Sequence, residues 1–512
     1  MSGQVQDITR MIGAPISPIR MASVVAGKAA EQRAATAYNE GNYTGAIEGF
    51  TEAIRRGLDH ADVHAGLATA YMFTGRSREA IAEYQLSIQR DPRDPKVFIN
   101  LAFLLDHQPE TTLELALAAR TAVWRRFGLP LRSTWTRHRN DPDPERPLRI
   151  GYVSGDFRRH SAATVFAPIV LRHSEGFRPV CYYTAPAPEG EDAVTACFIE
   201  QTEFHRVATL YQDDLADRIR ADQIDILVDL SGFSAFNRLG TFYRRPAPVQ
   251  VTGWGYATGT GIPVPAMDGF FADAVTVPRA LAARGYAEPI LYLPSIVPFS
   301  PMPYSDAPSP LPCLARRSFT FGSFNRWLKM TEAVLRVWGQ ILAAVPGSRL
   351  LLKEKIYERE DIRRQVLAAL GAQGVAAERI EFRGWTPHDE HIQAYHEVDL
   401  ALDPFPHAGG VTALEGLWHG VPPVTLLGER VPERLSASFC ASLQLPMFVA
   451  HSVAEYIEAA VGFATAYRPQ LAAIRQSLQY RFVESPLCKG YVQAVETHYR
   501  DLWRQWCRRQ TA

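Results

Sequence analysis

The stretch His407 to Trp418, HAGGVTALEGLW, follows an apolar run that ends in Asp403 and Pro404 and sets two glycines before residues with helical spacing. Gly409 and Gly410 carry no Cβ, so a ligand can approach the backbone there. The N–H groups of Val411, Thr412 and Ala413 would open a helix without intrahelical acceptors, which suits a diphosphate and adds the attraction of the helix dipole. Glu415, one turn further on, is placed to accept hydrogen bonds from ribose hydroxyls. A plain tight turn fits the same residues, so the stretch gains meaning only from its company.

Other reactive residue types have bland readings when taken alone. His160 in DFRRHSAA fits a surface or packing histidine, and Lys329 in FNRWLK fits a solvated lysine at a helix start. His388, Asp389, Glu390 and His391 contain an i, i+3 histidine pair on one helix face. No third convergent ligand accompanies them, so no metal site is expected. Asp141 and Asp143 form a DxD pair between prolines in RHRNDPDPERP, which reads as a connector.

The elements that must position these residues follow from length and pattern. A chain of 512 residues exceeds one core and implies roughly three units. Lys plus Arg and Asp plus Glu both total 54, so no net field favours nucleic acid or an anionic membrane, and any anion site must be local. The six cysteines are scattered without a CxxC pair, which fits reduced thiols and a cytoplasmic setting. Neither a signal-type apolar stretch nor a membrane span is read from the sequence. Gly41, Ala46, Phe50 and Ile54 recur as Gly75, Ala80, Tyr84 and Ile88, 34 positions later, the tetratricopeptide period. A degenerate third copy is expected from Pro95 to about Phe127. Such a groove serves peptide contact or dimerisation, and a homo-oligomer remains open. From Leu148 onward, buried runs (LRIGYVS, FRPVCYY, DILVDL, VQVTGWG, then SFTFGSF, RLLLKEK, RIEFRGW, VDLALD, PVTLL) alternate with helical spacing. This predicts two Rossmann-like α/β halves with the ligand beyond the carboxyl ends of the strands, between the halves. The expected boundaries are a tail over 1–28, an all-α tetratricopeptide segment over 29–130, a linker over 131–147, a first lobe over 148–310 and a second lobe with terminal helices over 311–512.

The residues around the glycine turn, with LRIGYVSGDFRRHSAA, DILVDLSGFSAFNRLGTFYRRPAPVQVTGWGYATGTG and FGSFNRWLK, resemble the catalytic region of the O-linked N-acetylglucosamine transferase (SPINDLY-like) family from about Leu148 to Trp503. The resemblance implies a GT-B-like pair of Rossmann-like domains and an inverting, metal-independent glycosyltransferase. It would move N-acetylglucosamine or a related hexose from a UDP-sugar, a co-substrate rather than a cofactor, to Ser or Thr hydroxyls of a protein or peptide acceptor. By similarity, His160 is the active-site histidine near the acceptor and Lys329 the lysine on the diphosphate. Asn325 and Arg326 flank that diphosphate, His391 and His388 lie at the uracil, and Glu415 takes the place of a ribose-binding aspartate.

Departures from the family pattern carry expectations of their own. Val411 replaces the first threonine of a Thr-Thr pair, leaving Thr412 and the backbone of Gly410. Arg326 stands where glutamine is common, and His388 where a lysine is usual. Trp254 beside Gly255, together with His407, is expected to build a bulkier wall at the sugar. Two rival readings stay open: another donor and acceptor, such as glucose onto Asn or sugar onto a cell-surface glycan precursor, or a non-catalytic repeat adaptor that senses a UDP-sugar.

Overall fold

The computed structural model describes residues 18–186, 192–256, 258–300, 307–316 and 318–511. The chain divides into two compact units after Gln108.

The first unit is a run of helices, Pro18–Asn39, Tyr43–Arg55, Ala61–Phe73, Ser77–Arg90 and Pro95–Leu105. Gly41 and Gly75, the glycines of the 34-residue period, have φ of 75° and 78° and make the turns that enter the second and fourth helices. A side chain is strained in that left-handed region. Ala46 and Ala80 are fully buried, and Phe50 and Tyr84 fill the gap between paired helices, as the repeat predicts. The first helix starts at Pro18, inside the stretch read as a tail. Residues 1–17 of that tail lie outside the described residues. The expected third copy is split between the units, and its first helix, Pro95–Leu105, stays in this one. Its second helix, Leu113–Val123, belongs to the second unit, where Leu113 fills the space left by Gly285.

The second unit holds two all-parallel sheets. The first has β1 (Leu148–Ser154), β2 (Phe177–Tyr183), β3 (Glu203–Arg206), β4 (Ile226–Asp229), β5 (Val249–Thr252), β6 (Gly269–Ala272) and β7 (Ile290–Tyr292), in the order 3-2-1-4-5-6-7. The second has β8 (Thr320–Ser323), β9 (Arg349–Lys353), β10 (Ile380–Arg383), β11 (Leu400–Leu402), β12 (Pro423–Leu426) and β13 (Val449–Ala450), in the order 10-9-8-11-12-13. Strands buried on both faces explain the unbroken apolar runs. Strand order reverses between β1 and β4 and again between β8 and β11, and the loops that leave these strands open crevices at their carboxyl ends.

Two connections reach across the expected boundaries. The linker is tied down: Arg146 makes a two-pronged contact with the buried Asp225 at 2.9 and 2.6 Å, and Asn140 Nδ2 donates to the same carboxylate at 2.8 Å. Within it Asp141 and Asp143 accept backbone N–H groups of Asp143 and Glu145, ordinary turn contacts that fit a connector. The terminal helix Tyr491–Thr511, placed with the second lobe by sequence, packs on the first. Tyr499 bonds Tyr152 of β1 at 3.2 Å, and the fully buried Trp503 donates to Asp143 O at 2.9 Å. Its ring lies under the Arg146 guanidinium at 4.7 Å and stacks on Trp506. Trp503→Ala should therefore cost the second unit about 3–5 kcal/mol. Urea unfolding followed by circular dichroism measures it, and a loss below about 1 kcal/mol would contradict this role for the helix.

Candidate active site

The turn after β11 is built around Asp403, a carboxylate that is 2% exposed. One oxygen accepts the Gly409 N–H at 2.6 Å and the other accepts the Thr425 hydroxyl of β12 at 2.7 Å. Burial raises the Asp403 pKa, while these donors and the neighbouring Lys329 act in the opposite direction. Ser436 donates to Gly409 O at 3.1 Å, and Ala408 N–H donates to Pro432 O at 2.8 Å. The loop is thus pinned at three consecutive points before the helix Val411–Trp418 begins.

The two glycines do different work. A Cβ on Gly409 would lie 2.9 Å from the Asp403 carboxylate, so this glycine makes room for the anchor. Around a Cβ on Gly410 there is open space, so Gly410 is the one that faces the crevice. Gly410 is also the N-cap and offers no capping side chain. Ala413 N–H turns back to Gly410 O at 3.0 Å, which corrects the expectation of three outward amides. The N–H groups of Val411 and Thr412 have no acceptor among the described residues, and they form the anion-seeking end of the helix. Thr412 Oγ1 donates to Asn325 Oδ1 at 3.2 Å, joining this turn to the loop after β8.

That second loop carries the cations. Lys329 donates from Nζ to Ala408 O at 2.6 Å, which uses one of its three N–H bonds and leaves two. Its pKa is lowered to about 8 by burial, with Asp403 opposing the shift and Arg326 adding to it. Arg326 itself is exposed. Its charge also lowers the pKa of His160 on the opposite lobe, so the two lobes meet electrostatically here.

His160 caps the helix Ser161–Val170, which follows β1. Its pKa is lowered mainly by burial, with Arg158 and Arg326 assisting and Asp156 opposing. Nδ1 has two neighbours, the Ala162 N–H at 3.2 Å and an Asp156 carboxylate oxygen at 3.4 Å. They make opposite demands, since the first needs a lone pair and the second a proton. With its proton on Nε2 the ring caps the helix; with the proton on Nδ1 it turns to Asp156 and exposes a basic Nε2.

The remaining candidates fall into two groups. His391 Nε2 lies 3.7 Å from Glu415, and its ring meets Phe324 and Tyr395 edge to face at 5.5 and 5.6 Å. Tyr395 OH bonds Thr412 O at 3.1 Å and also approaches Glu415, whose charge raises the Tyr395 pKa further above what burial already gives. His388 lies nearly parallel to His391, 6.5 Å away between ring centres. His407 donates from Nδ1 to Ala408 O at 3.1 Å, at the turn itself. Trp254 and Gly255 do not join them as a wall. Trp254 is 3% exposed, stacks on Phe271 at 4.7 Å and donates to Tyr491 OH at 2.8 Å, so its ring lies in the core against the terminal helix. Gly255 is required by the Leu230 carbonyl, which a Cβ would overlap at 1.5 Å.

Sequence reasoning passed over Asp403, Tyr395 and the residue that repeats Asp403 in the first lobe. Asp229, at the end of β4, accepts the N–H groups of Ser231 and Gly232 at 3.1 Å and the Thr252 hydroxyl of β5 at 2.8 Å. The signal was present: each aspartate is the single charge closing an apolar strand, with a glycine soon after and a threonine in the next strand.

Comparison with known proteins agrees with this architecture. The description of glycosyl transferase family 41 matches residues 116–299 and 313–495, and that of the tetratricopeptide repeat matches residues 37–102. A Solanum lycopersicum protein named probable UDP-N-acetylglucosamine–peptide N-acetylglucosaminyltransferase SPINDLY is 35% identical over 395 residues, 75% of this chain and 42% of its own length. Its Arabidopsis thaliana counterpart is 34% identical over 401 residues, 76% of this chain and 43% of its own. The chain therefore spans about two fifths of the length of these relatives. Among solved structures, a mutant of the Thermobaculum terrenum O-GlcNAc transferase superposes with a TM-score of 0.83 at 27% identity, covering 97% of this chain and 100% of that one. With a GT-B-like pair of parallel-sheet lobes, each reversing its strand order once, and a family match over most of its length, the chain belongs to glycosyl transferase family 41.

Proposed function

We propose that this protein transfers N-acetylglucosamine, or a related hexose, from a UDP-sugar to Ser or Thr hydroxyls of a protein acceptor, with inversion and without a divalent ion. One observation carries the reading: two outward amides at the head of the Val411–Trp418 helix and the Lys329 ammonium converge where the second sheet reverses order. Across the crevice stands His160. The diphosphate would lie on the Val411 and Thr412 N–H groups and on the two remaining Lys329 donors, with Arg326 reaching it from the rim. Glu415, held near Tyr395 and His391, would accept ribose hydroxyls, and His391 with His388 would border the base. The acceptor hydroxyl would attack the anomeric carbon from the face opposite the diphosphate. Charge then develops on the leaving UDP, and preorganised donors in a partly dry site stabilise it. The Asp156-bound tautomer of His160 offers a proton acceptor near the hydroxyl. The names of the curated relatives and of the solved O-GlcNAc transferase support the sugar and the acceptor class. The adaptor reading loses one of its supports, because Trp254 lies in the core and cannot narrow the sugar pocket.

Incubation with UDP-N-acetylglucosamine, other nucleotide sugars and a Ser/Thr peptide library, read by mass spectrometry, should show a mass gain of one sugar. Lys329→Met should lower that turnover by about 10²- to 10³-fold with an unchanged unfolding midpoint, and EDTA should leave the rate as it was. UDP bound without any transfer would return the adaptor reading.

The depressed pKa of Lys329 also sets a pH dependence. The free protein loses this charge as pH rises through about 8, whereas a bound diphosphate holds the proton to higher pH. UDP affinity measured by calorimetry should therefore be steady near pH 7 and fall above pH 8 by up to about tenfold per pH unit. The Lys329→Met variant should bind weakly with no such fall. An affinity that rises between pH 8 and 9.5 would be incompatible with a lysine grip.

A further inference from the structure

Phe236 sits in the loop after β4 with φ of 59°, a left-handed conformation that a bulky aromatic residue rarely adopts. The residue is 45% exposed, so core burial does not repay the strain. The conformation is held from both sides. Asp229 grips Gly232, Ser234 N–H donates to Ser231 O at 2.9 Å, Asn237 Nδ2 donates to Ser234 O at 2.8 Å, and Thr184 Oγ1 donates to Phe236 O at 2.8 Å. These contacts place the residue over the carboxyl ends of β4, β1 and β2, at the mouth of the first lobe's crevice.

Room for the ring is provided by Gly155, directly after β1. A Cβ there would lie 2.7 Å from Phe236 Cβ and 3.2 Å from Cδ2. Gly155 also begins the short loop that leads to His160, the residue on the acceptor side of the proposed reaction. Glycine or asparagine would relax this backbone at once, and strain of this kind is kept where a side chain must be presented to something.

We infer that Phe236 is a specificity residue for the acceptor, a fixed apolar platform that takes an apolar or aromatic side chain flanking the modified Ser or Thr. The inference rests on the transfer reading above and names the class of acceptor it favours. The part of the residue left open to solvent is the area that a substrate side chain would cover. Aromatic contact would fix the peptide next to His160 without touching the donor.

The decisive experiment pairs selectivity with stability in Phe236→Gly and Phe236→Asn. On a Ser/Thr peptide array with varied flanks, the wild type should prefer acceptors with aromatic or aliphatic neighbours. Both variants should raise the KM for those peptides about tenfold or more, leave UDP affinity unchanged, and raise the unfolding midpoint by relaxing the backbone. A ring that merely packs would give the reverse, a lower midpoint with the same peptide preference, and that result would overturn the inference. Gly155→Ala, which displaces the ring without relieving Phe236, should reproduce the loss of preference. Binding of the same labelled peptides to UDP-saturated protein is measured in parallel. If no peptide is glycosylated at all, the transfer reading falls, and selective capture of apolar-flanked peptides by the wild type but not by Phe236→Gly still decides the role of Phe236.

Discussion

A single buried carboxylate underlies the donor side of this protein. Asp403 has almost no contact with solvent, and a charge so placed is costly unless every lone pair finds a donor. Its donors are the amide of the glycine turn and a hydroxyl from the neighbouring strand. The cost of burial is thus offset only when the turn adopts one shape, which makes the aspartate a conformational lock rather than a source of net stability. With Gly409 bound, Gly410 is carried into the crevice and the first two amides of the following helix point outward. Removing the lock would leave the amides present in sequence but no longer aimed.

The same device occurs twice. Asp229 holds Gly232 and Thr252 in the first lobe as Asp403 holds Gly409 and Thr425 in the second. Both sit where strand order reverses, the place at which an α/β sheet opens a crevice. In the second lobe the pinned loop leads to a bare helix start and a lysine, and so to anion chemistry. In the first it leads to Phe236, an exposed apolar side chain in a strained conformation. One local solution to the problem of ending a central strand is thereby put to two uses, and the difference lies in the residues that come after the glycine.

Much of this was legible in the chain. Strands of seven residues such as β1 and β2 appear as runs that match their observed limits, because burial on both faces leaves no polar alternation to blur them. The 34-residue period marked the repeats through glycines whose left-handed φ no other residue would tolerate cheaply. Four short strands escaped: β3, β7 and β13 at sheet edges, and β6 between β5 and β7, each of two to four residues. Trp254 was misplaced because pattern alone does not show its backbone conformation, a positive φ of 64°, or that its ring lies in the core against Phe271 and Tyr491. Long-range packing was also invisible, and the terminal helix joins the first lobe through Trp503 and Tyr499 across more than 340 positions of chain.

The two cations of the site differ in a way that suits sequential tasks. Arg326 is exposed and permanently charged, so it would attract an anion at a distance with little gain once water competes for it. Lys329 is half-buried, tied to the Ala408 carbonyl and poised near pH 8, so its charge is costly in the empty crevice and becomes favourable once an anion arrives. In the proposed transfer, partial desolvation would strengthen that interaction as negative charge accumulates on the leaving group. Exchanging the two side chains would give a site that attracts the same ligand equally well at the rim and yet stabilises its leaving charge less, since a fixed guanidinium in the crevice could not be held at the carbonyl with the same compact three-donor geometry.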